Sequence, residues 1–167
     1  MTDTDHLVAD LARLAEQERL LCLPALPPDL AWTLGRQLHD TATARGLPVT
    51  IEIRLGEHLA FFHAMPGTAP VNADWARRKR NVSELLDLSS YHVGRQLRQD
   101  GSTLEAKLGV ATRDYAAHGG AVPLRLVGGV RVGTATVSGL PQRDDHQLVV
   151  EVLAGLCGLA PAGLLLP

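Results

Sequence analysis

Cysteine is almost missing from this 167-residue chain: Cys22 and Cys157 stand far apart, and neither belongs to a CxxC pair. That excludes a disulfide framework and argues against a thiolate zinc site. Aromatic residues are as scarce, at 4%, whereas a base-stacking surface needs them interleaved with basic residues. Neither sign of charge prevails: 16 basic and 18 acidic residues leave a formal charge of −2. The strong basic footprint of bulk nucleic-acid binding is therefore lacking. No apolar run is long enough to span a membrane. The opening stretch is acidic and amphipathic, without the basic start and apolar core of a secretory signal. There is no Walker-type loop and no GxGxxG after a strand. These absences leave a cytoplasmic protein as the expectation.

What is present is 46% apolar residues, enough for the core of one ordinary domain. Residues 5–21 have helical spacing through Leu7, Leu11, Leu14 and Leu21, with Thr4 or Asp5 as cap. The prolines of residues 24–28 then break any helix. The expected division is an N-terminal helical arm and Pro-rich linker over 1–28, and a domain over 29–167. A second helix is expected over 30–45, capped by Asp29 and ended by Gly46. Residues 49–63 alternate as a hairpin about Gly56-Glu57, and 122–127 with 130–137 form another about Gly128-Gly129. Between them lie helices over 73–87 and 90–99, an ambiguous stretch at 102–111, and a short helix at 112–117. A last helix runs over 143–156. Two antiparallel pairs separated by helices give an α+β fold: an antiparallel sheet flanked by helices, with an extra N-terminal helix.

Four places can carry chemistry. Trp75, Arg77, Arg78, Lys79 and Arg80 open the helix at 73. Four consecutive cations cannot share a face, but two can converge on an anion; a solvated face with ion pairs is the alternative. Cations early in a helix oppose its dipole, which hints at an anionic partner. Ser138-Gly139-Leu140 with Asp144-Asp145-His146 gives two carboxylates and an imidazole at a helix start, suited to a metal, to acid–base work or to simple capping. In His118-Gly119-Gly120, paired glycines allow close backbone approach to a ligand or merely turn the chain. His118 fits an iron ligand, a general base or a solvated loop residue. His63 and Met65 share one face of a strand, so they cannot bracket a haem from opposite sides, and Met65 suits the core.

Together, Phe61-Phe62-His63-Ala64-Met65-Pro66-Gly67-Thr68, Trp75-Ala76-Arg77-Arg78-Lys79, Ser89-Ser90, Tyr115-Ala116-Ala117-His118-Gly119-Gly120 and Ser138-Gly139-Leu140 with Asp145-His146 resemble the GlcG/HbpS-like haem-binding or haem-degrading family. The likeness spans about residues 30–156 and is strongest to an uncharacterised subgroup carrying Trp-x-x-Arg-Lys and a Ser-Gly-Leu loop followed by Asp-His. It implies a profilin-like domain, self-association as a homo-oligomer, and haem as a ligand. Arg77, Arg78 and Lys79 match the subgroup's basic helix; Ser138, Gly139, Asp145 and His146 match its loop.

Three readings follow. The first is a small-molecule binder of the haem type, with Trp75, Arg77, Arg78, Lys79, His118, Gly119, Gly120, Ser138 and Gly139 at the ligand and His118 or His63 at the iron. The second is an enzyme acting on a small anionic metabolite, with Asp145 and His146 as the catalytic pair. The third is an oligomeric interaction module in which the basic helix, the N-terminal arm and the apolar tail make subunit contacts.

Overall fold

The computed structural model describes residues 3–167. Helix α1 (Asp3–Leu20) leads into a two-residue strand, β1 (Cys22–Leu23), and helix α2 (Pro28–Arg45) follows. Strands β2 (Thr50–Leu55) and β3 (His58–Ala64) form the first hairpin. Helices α3 (Pro70–Leu86), α4 (Ser90–Gln99) and α5 (Leu104–Leu108) come next. Strands β4 (Ala121–Leu126) and β5 (Arg131–Ser138) form the second hairpin, before α6 (Gln142–Leu156). The strands join in one sheet ordered β1-β4-β5-β2-β3. All neighbours are antiparallel except β1 and β4, so the expected antiparallel sheet gains a short parallel edge.

Period-two alternation gives the sheet two unlike faces. Ile51 and Ile53 lie in register with Val137 and Ala135, and with Val122 and Leu124 they face α2 and α6. Leu34, Leu38, Leu148, Val149 and Leu153 complete that core, each essentially removed from water. Full burial of such a side chain contributes about 1.5–3 kcal/mol. Gly35 gives Phe61 room to lie against α2, since a Cβ there would sit 2.2 Å from the phenyl ring.

The opposite face carries Thr50, Glu52, Thr134, Thr136 and Ser138, yet these too are buried, because α3 covers them. Glu52 pairs with Arg80 of α3, and the Thr134 hydroxyl donates to the Glu84 carboxylate at 3.3 Å. The layer between sheet and α3 is thus polar, tied by these two contacts, while the Thr50, Ser83 and Thr136 hydroxyls are buried without a hydrogen-bond partner among the described residues.

Helix α1 lies on the body. Leu14 packs with Tyr91 and Leu166. Asp10, 1% exposed, pairs with Arg95 and Arg143, each at 2.9 Å. Among the described residues no helix is long and apolar enough to cross a membrane.

Several boundaries differ from expectation. Helix α2 starts at Pro28 with Pro27 as its cap, leaving Asp29 in the first turn, where its charge suits the dipole. Helix α3 starts at Pro70 rather than 73; the Asn72 side chain closes its first turn by accepting from Ala69 N–H at 2.8 Å. No helix forms over 112–117. The short helix falls instead in the ambiguous stretch, capped by Thr103, whose hydroxyl accepts from Ala106 N–H at 3.2 Å, and ended by Gly109.

Candidate functional site

Successive helical residues are turned by about 100°, and the four cations of α3 diverge accordingly. Arg77 pairs with Asp74 and Asp114, both at 2.9 Å. Arg78 lies 4.3 Å over the Trp75 ring and donates to the Thr112 carbonyl at 2.9 Å. Arg80 is held by Glu52. Arg80 thereby faces the sheet, and Lys79 is the buried one of the four, on the stripe of Ala76, Val82 and Ser83. Because α3 starts at Pro70, these cations lie beyond its first turn. The inference from an opposed dipole to an anionic partner is therefore corrected: the chain's own carboxylates, carbonyl oxygens and Trp75 occupy the three arginines.

Lys79, 4% exposed, meets the fully buried Asp145 of α6. Its Nζ donates to Asp145 Oδ2 at 2.7 Å and, more weakly, to the Val137 carbonyl at 3.4 Å. Asp145 also accepts from Gly139 N–H at 3.3 Å and Leu140 N–H at 3.0 Å. It thereby braces the loop before α6, whose cap is Pro141. Burial drives the pair toward neutrality: it lowers the Lys79 pKa and raises that of Asp145, and their mutual attraction opposes both shifts.

Glycines admit this packing. Gly120 has φ +135, and a Cβ there would lie 2.2 Å from the Val137 carbonyl oxygen and 3.1 Å from Lys79 Nζ. At Gly119 it would lie 2.0 Å from the Gln142 carbonyl oxygen, and at Gly139 2.2 Å from that of Pro48. The glycine pair at 119–120 thus brings its turn against α6 and the ion pair.

Above this floor opens a cleft of about 240 Å³, lined by Asn72, Trp75, His118, Ser138 and Gln142 with Lys79 and Asp145. Trp75 and His118 meet edge to face, 5.2 Å between centroids. Partial burial lowers the His118 pKa, and the charges of Lys79 and Arg78 push it the same way, so the imidazole is neutral at neutral pH. The Asn72 side-chain oxygen already accepts from Ala69 N–H, and that of Gln142 accepts from Gly119 N–H at 3.3 Å. Each amide therefore has its NH₂ left to offer a ligand. Asp145 is engaged by three donors. The cleft thus keeps amide N–H donors free, while its side-chain carbonyls and its carboxylate are engaged.

Trp75, Lys79, His118, Ser138, Gly139 and Asp145 thus gather at one place, with Gly119 and Gly120 at its floor. Arg77 turns away, and Arg78 backs the Trp75 ring. The expected Asp145–His146 acid–base pair is separated. His146 is fully buried, its Nε2 is 2.8 Å from Gln17 Oε1 of α1, and its ring stacks on Tyr91. Burial pushes its pKa down to about 3. Adjacent helix positions, 100° apart, send one side chain to the cleft and the other beneath α1. His63 lies apart as well, edge to face with His39 at 4.8 Å in a groove of about 500 Å³ that Met65 also lines. No group of three metal-ligating side chains occurs among the described residues. Gln142 escaped sequence reasoning; its one signal was its place after Ser-Gly-Leu-Pro at the start of a helix.

Fold and cleft define an α/β domain with helices on both faces of one sheet and a polar pocket where α3, the His118–Gly120 turn and the start of α6 converge. The chain belongs to the HbpS-like family: the family model described as "Haem degrading protein HbpS-like" matches residues 26–154. It is 52% identical over 151 residues to a UPF0303 protein of Azotobacter vinelandii, covering 90% of this chain and 91% of that one. Among solved structures it resembles the Ybr137w protein, with TM-score 0.81 and 28% identity over 89% of this chain and 87% of that one. It also resembles a PduOC–haem complex in fold, with TM-score 0.62 and 19% identity over 72% and 87%.

Proposed function

We propose that the protein binds a small molecule through a carboxylate or similar anionic group in the Trp75–His118 cleft. The observation that carries this is the set of free amide donors: the Asn72 and Gln142 carbonyls and the Asp145 carboxylate are already engaged by N–H groups, so both side-chain amides turn N–H groups to a ligand, beside the Ser138 hydroxyl and the neutral His118 ring. Such a surface selects acceptors. Trp75 adds a flat apolar wall.

Haem is the first ligand to test, given the family and the haem complex of a structural relative. It carries two carboxylates and takes histidine at its iron. His118, kept neutral, fits the iron-side nitrogen, and the amides of Asn72 and Gln142 fit the carboxylates. Bound haem would supply a redox-active iron. The cleft, about 240 Å³, is smaller than the ~300–1,000 Å³ pockets that enclose drug-sized ligands. It fits the carboxylate end of such a molecule and not the whole ring.

The test uses Trp75 fluorescence in a Trp32→Phe background, and the haem absorption band, during titration with small carboxylates and haemin. Gln142→Glu and Asn72→Asp keep the oxygen that accepts the backbone N–H but replace the donor with negative charge. Each should weaken carboxylate binding at least about tenfold, equivalent to 1.4 kcal/mol. His118→Ala should shift the haem band. Unchanged affinity in both amide variants overturns the proposal. A haem band that survives His118→Ala and falls with His63→Ala moves the haem site to the His39–His63 groove.

A further inference from the structure

We propose that Lys79 forms a covalent imine with a ligand that bears a ketone or aldehyde beside its carboxylate, a 2-oxo acid in chemical class. This rests on the carboxylate-binding reading of the cleft and deepens it by naming the group next to the carboxylate.

Four features of the site converge on this chemistry. Lys79 lines the same cleft as the rim donors Asn72 and Gln142 that would hold the carboxylate. The amine has a proton acceptor in contact, Asp145 Oδ2 at 2.7 Å. Gly120 keeps a side chain away from Nζ, since any Cβ there would approach it to 3.1 Å. The choice of cation is itself informative. Lys79 and Lys107 are the chain's two lysines, and arginine serves everywhere else. Arginine would hold Asp145 with more hydrogen bonds but cannot lose its proton; lysine can, and a desolvated lysine amine is a nucleophile. Burial shifts both partners toward the neutral pair, which is the form that reacts.

The step balances within the pair. The Lys79 ammonium gives a proton to Asp145, and the freed lone pair attacks the carbonyl carbon. The new C–N bond forms as the C–O double bond opens, and its oxygen takes the proton back from Asp145. Nitrogen then gives a second proton to Asp145, which passes it to the hydroxyl. The C–O bond breaks, water leaves, and the C=N bond of a protonated imine remains. Asp145 ends as it began, and no oxidant or reductant is used.

The experiment is reductive trapping of the full chain with pyruvate and cyanoborohydride, read by intact and peptide mass spectrometry, alongside Trp75 fluorescence without the reductant. The expected result is one adduct, of the mass of the acid less one oxygen, on Lys79. Exposed Lys107, paired with Asp100, should stay unmodified. Lys79→Arg, which keeps a cation against Asp145, should abolish the adduct while the thermal transition shows a folded protein. Asp145→Asn should slow trapping about a hundredfold or more, the loss typical of a positioned proton-transfer group. Labelling of Lys107 as fast as Lys79 overturns the imine. So does a fluorescence response to pyruvate with no adduct, which leaves carboxylate binding standing. Neither adduct nor fluorescence response, with haemin and other carboxylates equally silent, overturns both.

Discussion

Removing the Lys79 amine while leaving Asp145 in place isolates one buried charge. Lys79→Met has nearly the same length and no charge, so packing beside Ala76 and Val82 changes little. Asp145, fully buried, then keeps only the Gly139 and Leu140 N–H groups as partners. Breaking a buried pair from one side costs about 3–5 kcal/mol; the two surviving hydrogen bonds place this variant near the lower figure. For a domain of this size that lowers Tm by about 6–12 °C. The sign of the pH response is fixed as well. Burial already raises the Asp145 pKa against the pull of Lys79, and deleting Lys79 raises it further. A carboxyl whose folded pKa exceeds its unfolded value of about 3.9 destabilises the fold above that folded pKa, and the penalty fades as pH falls through it. The variant's deficit should therefore shrink between pH 7 and pH 5. Urea unfolding followed by circular dichroism at both values measures this. Adding Asp145→Asn to Lys79→Met should cost no more than Lys79→Met alone, because a neutral amide still accepts from Leu140. A deficit below about 1 kcal/mol that is equal at both pH values would place Asp145 in contact with water and refute the reasoning, since exposed pairs contribute no more than that.

Other outcomes are equally definite. His146, with its pKa pushed down to about 3, binds its proton in the unfolded chain first; stability should fall below about pH 6.5 by up to ~1.4 kcal/mol per pH unit. His146→Gln should flatten that slope, and matching slopes would show the ring reaching water. Gly120→Ala combines positive φ with a 2.2 Å approach to a carbonyl oxygen and should cost about 3 kcal/mol or more; a near-neutral result in urea unfolding would mean that the floor relaxes. Asp10→Ala leaves Arg95 and Arg143 without their shared carboxylate. Amide exchange in α1 should then accelerate at least about tenfold while the sheet stays protected, and unchanged exchange would show that Leu14 and Gln17 hold α1 without Asp10.

The parts legible in the sequence were those with local causes. Both hairpins announced themselves through alternation and through Gly56 and Gly128-Gly129, all at positive φ. Gly46 ended α2 as expected, and Ser89 capped α4. Helix α3 starts at Pro70, as suits proline in a first helical turn, three residues ahead of the expected start at 73. Strand β1, two residues long, is defined by its pairing to β4 rather than by any pattern of its own. The burial of the polar face of β5 under α3 is not legible in alternation, which tells which residues share a face and not what covers it. The cleft shows the same division. His118, Gly119, Gly120, Ser138 and Gly139 stood out by residue type. The choice of Lys79 among four cations depended on the phase of α3 against the sheet. Its spacing from Ala76 and Ser83 held that information, masked by its charge.

The glycines and the ion pair beneath the cleft also divide the site by how freely it can change. At Gly119, Gly120 and Gly139, backbone meets backbone or carbonyl with no space for a single added carbon, and Lys79 and Asp145 are each the other's charge partner. Substitution there threatens the domain before it alters a ligand. Asn72, Trp75, His118 and Gln142 stand on the open side, where a new side chain meets solvent first. Descendants of this chain can therefore drift toward new ligands by exchanging the rim one residue at a time, while the floor is inherited as a unit.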